Sequence, residues 1–236
     1  MSSCEELYQG LQVACQEIMG QTFKDDGEGL QSKAHSFLAD FSNWIDFLDD
    51  RLETVLLKSA LKEYQFGLLA VVQGQYRHSF MALRFFLEQT LAAIHFSVKE
   101  LELRQWMQGE KDIYWENISN EENGVFSSCF VKVFCPSMLE EVGIIRGLAK
   151  KVYRDCSEYI HGNYCTHGKL PEGLEYRKDI YEDWHDRAET ARFIISFALY
   201  IRYSIILNDK PKKARMESTI MEYLGHIPAI HEFYSE

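Results

Sequence analysis

Ser79-Phe80-Met81-Ala82-Leu83-Arg84-Phe85-Phe86-Leu87-Glu88-Gln89 is the centre of a stretch running from about Tyr76 to Lys99. Wound at about 100° per residue, that stretch is apolar on most of its circumference. A helix apolar nearly all round has to be covered by its neighbours, so it predicts a bundle assembled about it. Upstream, helices are predicted over about 5–19 and 31–49, with a third running to Val72. The second carries Leu38, Phe41, Ile45 and Leu48 at steps of three and four, with Trp44 beside them. The cluster Lys24-Asp25-Asp26-Gly27 follows the first helix, and Gly74 reads as the C-cap of the third.

Downstream, helices are predicted over about 137–163, 180–207 and 212–224. The prolines, Pro136, Pro171, Pro211 and Pro228, each fall at or beside a break. Two irregular insertions interrupt the pattern. Residues 119–136 hold Asn120, Asn123 and Gly124 and then a β-prone run from Val125 to Cys135, which reads as a short hairpin (near 125–135) or an ordered loop. Residues 167–178 hold two glycines and Pro171. There is no internal repeat and no low-complexity linker. The expected fold class is therefore all-α, a helical bundle in a single domain over 1–236, with a core over about 31–208 and a C-terminal helical extension over 209–236.

A chain of 236 residues, 46% apolar and 26% charged, is long enough to bury a substantial core. Its formal charge of −11 argues against a standing electrostatic grip on nucleic acid. A local basic groove or a transient encounter with RNA remains compatible with it. The start Met1-Ser2-Ser3-Cys4-Glu5-Glu6 is acidic, with no apolar run behind a positive charge, so no signal peptide is expected. The longest apolar stretch, Phe193 to Leu207, follows Arg192 and is broken by Arg202, and reads as too short and too charged to span a bilayer. Cys4, Cys15, Cys129, Cys135, Cys156 and Cys165 form no close CxxC pair and read as free thiols in a reducing cytoplasm.

Chemistry concentrates in Tyr153-Arg154-Asp155-Cys156-Ser157-Glu158-Tyr159-Ile160-His161-Gly162. Arg154 and His161 are seven positions apart, almost two helical turns, so both leave the same face roughly 10 Å apart along the axis. A permanent cation beside a group that titrates near neutrality suits phosphodiester cleavage. Gly162 and Asn163 are stop signals, so His161 feels the negative end of the helix dipole, which favours its protonated form. The same residues also read as Arg154 paired with a carboxylate and His161 as a surface cap. In the central helix, Arg77, Arg84, Glu88 and His95 share one face. Charges there need partners or a cleft. Arg84 and Glu88 read either as an internal ion pair or as a polar stripe facing Arg154 and His161. Glu158 is four residues from Arg154 and three from His161, beside both on a helix, and with Ser157 it is a supporting candidate.

Metal patterns are weaker. Glu158-x-x-His161 and Glu182-x-x-His185 have the ligand spacing of di-iron bundles, yet they lie on helices adjacent in the chain, where such bundles interpose another helix. Cys156, His161, Cys165 and His167 match no zinc-finger spacing. No metal and no cofactor is expected.

A late helix carrying Arg154, a polar Asp155 directly after it, and His161 resembles the HEPN family. The wording Tyr153-Arg154-x-x-Ser157-x-Tyr159-Ile160-His161-Gly162 is similar to HEPN-like proteins of bacterial defence loci, which also tend to carry an earlier helix of the Ser79–Glu88 type. The likeness covers most of the chain as architecture and these two helices as specific residues. It implies a HEPN-like helical bundle and metal-independent RNA cleavage in a composite site at a homodimer interface. His161 would exchange the proton of a ribose 2′-hydroxyl or of the leaving oxygen, Arg154 would stabilise charge on the phosphorane, and Asp155 would orient one of the two. Many relatives belong to toxin–antitoxin or antiphage systems, so the implied partners are an RNA substrate met transiently, a second copy of the chain, and an antitoxin or defence-complex protein, with no membrane. Some relatives carry a tyrosine as a modification target two residues after the histidine; here Asn163 holds that position and Tyr164 follows. The alternative is a non-catalytic HEPN-like subunit that binds a partner or acts as a sensor, for which 13 tyrosines, 15 phenylalanines and an acidic surface are suited. The basic run Lys210-Pro211-Lys212-Lys213-Ala214-Arg215 reads as a solvated helix start or as a contact for RNA or a partner.

Overall fold

Local capping starts the first helix. The Ser3 hydroxyl accepts the Glu6 amide, and the Glu6 carboxylate reaches back to the Ser3 amide at 2.7 Å, so α1 (Cys4–Asp25) begins at a capping box. The computed structural model describes residues 3–162 and 164–235; Asn163, on which part of the predicted helix stop falls, and the Cys165 side chain lie outside them. Among the described residues the regular elements are all helical. They are α2 (Leu30–Phe47), α3 (Thr54–Val72), α4 (Tyr76–Phe96), α5 (Glu100–Met107), α6 (Trp115–Ile118), α7 (Ser128–Phe134), α8 (Val142–Ile160), α9 (Tyr164–His167), α10 (Lys178–Tyr203), α11 (Lys210–Leu224) and α12 (Pro228–Ser235). The fold class is all-α.

The central position of α4 follows from its sequence. Nearly every residue from Gln89 to Phe96 is buried, and the helix packs on α3, α8 and α10. Phe86 is the hub of an aromatic cluster, 4.6 Å from the Tyr64 ring on α3 and 5.2 Å from Phe41 on α2. Burying side chains of this size contributes about 1.5–3 kcal/mol each. The second core helix is α10. By length and composition alone, Lys178–Asn208 is apolar enough to cross a membrane, because Arg192 and Arg202 are the only strong interruptions in its later half. Yet 72% of its most apolar window is buried against the other helices, which accounts for the apolarity.

The β-prone run Val125–Cys135 is a turn leading into a helix over Ser128–Phe134, not a hairpin. Ser127 caps α7 by accepting the Phe130 amide at 3.1 Å. Phe130 and Val131 turn into the core while Lys132 and Val133 face out, so burial follows a helical period that the β-branched composition masks. The helix predicted over 137–163 is shorter: a 3₁₀ turn at Pro136–Met138 precedes α8. Pro228, read as a break, starts α12, where its missing amide costs nothing. The C-terminal segment is stitched to α2, since Asp40 accepts hydrogen bonds from the Thr219 and Tyr223 hydroxyls at 3.1 and 3.2 Å. Met216, Ile220, Leu224 and Ile230 join the same buried cluster as α4.

Gly74 sets the turn between α3 and α4. Its φ of 73° is left-handed, and a Cβ there would meet the Glu175 carbonyl at 3.0 Å and Ile18 at 3.2 Å. That close approach brings α1, the α3–α4 turn and the segment before α10 together.

Candidate functional site

Burial along α8 recurs at steps of three and four, through Val142, Ile145, Ala149, Val152, Cys156 and Tyr159. The opposite stripe is therefore solvent-facing, and it carries Gly147, Lys150, Lys151, Arg154 and His161, all exposed. His161 is the C-cap residue, with its amide bonded to the Ser157 carbonyl at 3.0 Å. Gly162 follows with φ 68°, the left-handed conformation that ends a helix. Among the described residues neither the Arg154 guanidinium nor the His161 imidazole has a hydrogen-bond or ion-pair partner. The alternative in which Arg154 pairs with a carboxylate does not occur within the described chain.

Asp155 is drawn away from this pair. One helical step turns it about 100° from Arg154, toward α10. There its carboxylate faces Arg187 at 3.7 Å, and Arg187 also binds Asp183 at 2.6 Å. The Tyr159 hydroxyl donates to Asp183 at 3.4 Å, and its ring stacks on Phe80 with centroids 3.8 Å apart. Asp155 therefore ties α8 to α10 and, among the described residues, forms no ion pair with Arg154 or His161, one of which it was expected to orient. Between them, burial pushes the Cys156 thiol up to about 12, which makes it an inert core residue.

The polar stripe of α4 faces α8, but it meets Tyr153 and Ser157 rather than Arg154 and His161. Arg84 donates to the Ser157 hydroxyl at 3.0 Å, donates to the Tyr153 hydroxyl, and pairs with Glu88 at 3.5 Å. The Tyr153 hydroxyl donates in turn to Glu88 at 3.4 Å, and Trp115 of α6 stacks on the Tyr153 ring at 3.8 Å. Burial pushes the Glu88 carboxyl up, with Glu116 adding to the effect, while Arg84 and the Tyr153 hydrogen bond oppose it. Arg84, Glu88 and Ser157 thus form a clamp between α4 and α8. Their side-chain exposures, 21% for Arg84 and 13% for Glu88, leave little water to replace a lost partner. Arg84→Ala is expected to cost about 2–3 kcal/mol, because it strands a largely buried carboxylate. Urea unfolding at pH 7 checks this, and an unchanged midpoint contradicts the clamp.

Glu158 lies on the same flank as Arg154 and His161, yet its carboxylate pairs with neither; its carbonyl accepts the Thr166 hydroxyl at 2.9 Å. The second ExxH motif is divided by environment. Glu182 is exposed and faces Lys178 at 3.7 Å, whereas His185 is buried edge-on against Tyr181 and Trp184. No group of three metal-binding side chains comes together among the described residues.

Several residues of the region escape reading from sequence. Arg187 and Tyr153 act through contacts with distant helices. The run Lys150-Lys151-x-x-Arg154 does carry a signal, a basic strip on an acidic chain. Lys150 is engaged with Glu121 at 2.9 Å, while Lys151 is open to solvent. Arg77 lies with its guanidinium 3.4–3.5 Å from the ring nitrogens of His167, across 90 positions of sequence. The chain matches no family model, no curated protein and no solved structure.

Proposed function

We propose that the chain is a cytoplasmic, metal-independent endoribonuclease of HEPN type that works as a homodimer in bacterial defence or toxin–antitoxin growth arrest. One observation carries the reading: among the described residues Arg154 and His161 have no partner on their face of α8, while the neighbouring Asp155, Arg84 and Glu88 are tied into helix packing. A cation and an imidazole left without internal partners are available to a substrate phosphate. Lys151 extends the same face, so a nucleic-acid backbone meets a locally basic strip on an acidic protein.

In the proposed reaction the ribose 2′-oxygen attacks the adjacent phosphorus as its proton leaves. The bond from phosphorus to the 5′-oxygen breaks, that oxygen is protonated, and the products end in a 2′,3′-cyclic phosphate and a 5′-hydroxyl. His161 exchanges one of these protons, the His161 of a second copy the other, and Arg154 holds the charge on the phosphorane. An exposed helix face is what a composite site between two copies requires. The test is RNA cleavage by purified wild type and His161→Ala, each with and without EDTA. Cleavage that survives EDTA and vanishes in the variant supports the reading, and cleavage by the folded variant at the wild-type rate defeats it.

A second reading is favoured by a different surface. Phe66 and Leu69 of α3 and Met81 and Phe85 of α4 are exposed together around a groove of about 610 Å³, with Ile160 at its edge. An apolar surface of this kind suits a protein partner, as in a non-catalytic sensor or assembly subunit. Absence of cleavage by both folded proteins would favour that role.

A further inference from the structure

A second arginine–histidine pair lines a cavity separate from the α8 stripe. The cavity, about 650 Å³, lies between α1, the first turn of α4 and the segment 167–174. That volume lies in the range of small-molecule sites. Its construction is specific. Gly74 lets the segment before α10 and Ile18 of α1 approach closely, and the Tyr76 hydroxyl accepts the Arg177 amide at 2.7 Å, fixing that segment against α4.

Several polar groups at its walls are already occupied. The Gln75 amide donates to Gln73 at 2.9 Å, and nearby Arg177 is engaged by Asp179 at 2.8 Å. Arg77 is different. Its guanidinium lies against the His167 imidazole and forms no ion pair among the described residues. A neutral imidazole nitrogen can accept one guanidinium N–H here, which leaves the other guanidinium N–H groups and the second ring nitrogen to meet a ligand; Glu172 also lines the cavity but forms an ion pair with neither among the described residues. A carboxylate held bidentately by the guanidinium has no oxygen left for the imidazole; a phosphate monoester accepts from the guanidinium in a bidentate manner and keeps a third terminal oxygen for the ring N–H. Away from the pair, Leu11, Leu170 and Leu174 give the cavity apolar walls.

We propose that this cavity binds a small organic phosphate monoester, with the phosphate against Arg77 and His167 and an apolar or aromatic body between α1 and the 167–174 segment. The proposal stands independently of the nuclease reading, since none of its residues belongs to the Arg154–His161 stripe. Gly162 does link the two places: a Cβ there would lie 3.0 Å from the His167 Nε2, so the His167 ring rests beside the residue after His161.

The test is isothermal titration of the full chain with phenyl phosphate, inorganic phosphate and benzoate. Phenyl phosphate is expected to bind at least tenfold more tightly than either of the others. Arg77→Ala is expected to weaken it at least tenfold, and Arg215→Ala, which removes an exposed charge on α11, is expected to leave it unchanged. Circular dichroism checks that both variants are folded. Equal binding of benzoate, equal binding by the folded Arg77→Ala variant, or no binding of phenyl phosphate by the wild type overturns the proposal.

Discussion

Acidification from pH 7 to about pH 4.5 is expected to remove about 4 kcal/mol of folding stability through two histidines. His95 and His185 are 4% and 3% exposed. Burial pulls each imidazole down to about 4, helped at His95 by Lys99 and Lys111 and at His185 by Arg192. Among the described residues the His95 Nε2 and both ring nitrogens of His185 lack hydrogen-bond partners. Between the unfolded value near 6.5 and the folded value near 4, the unfolded chain binds protons that the folded chain refuses. The contribution is complete above the unfolded value and is lost as pH falls toward the folded one, at about 2 kcal/mol per histidine by pH 4.5.

Glu88 acts in the opposite direction. Its raised carboxyl takes up a proton more readily in the folded state, so it offsets part of the loss. Since small domains have only about 5–15 kcal/mol in total, the midpoint of urea unfolding should fall steeply across this range. His185→Phe, which keeps a ring among Tyr181 and Trp184 and removes the titrating nitrogens, should abolish about half the slope. A flat profile for the wild type from pH 7 to 4.5 contradicts the neutral burial of both rings.

The second large effect is on activity with stability untouched. His161→Ala is expected to reduce RNA cleavage about 10²–10⁴-fold, the usual contribution of a positioned general acid or base. Arg154→Ala should reduce it by a similar factor, since it removes the charge proposed to face the phosphorane. Arg154→Lys should restore only part, because an ammonium lacks the planar fork. The three variants replace two exposed side chains that have no hydrogen-bond or ion-pair partner among the described residues, so stability should stay within about 0.5 kcal/mol of wild type. Parallel assays of cleavage rate and urea unfolding separate the cases. A variant that loses activity only in proportion to a fall in stability points to a structural role instead.

Much of the architecture was legible because it is written in short-range pattern. The apolar circumference of α4, the three-and-four spacing of α2 and the glycine stop after His161 each depend on residues close in sequence. The helix α7 was not legible, since Val125, Val131 and Val133 favour strand locally and only packing of Phe130 and Val131 into the core sets the helical period. The site divides in the same way. The Arg84–Glu88 pair is a four-residue relation and was readable as an ion pair. Its partners Tyr153 and Ser157 lie 69 and 73 positions away, and Arg187, which takes Asp155, is on another helix. Side-chain direction on α8 decides which of two adjacent residues, Arg154 or Asp155, faces water, and that direction is fixed by the buried face alone.

The central claim is best tested by typing the ends of RNA fragments produced in EDTA by wild type and by His161→Ala. Wild type is expected to give 2′,3′-cyclic phosphate and 5′-hydroxyl ends, and the folded variant no fragments. Fragments with 3′-hydroxyl and 5′-phosphate ends, or fragments of any kind from folded His161→Ala at the wild-type rate, would contradict it.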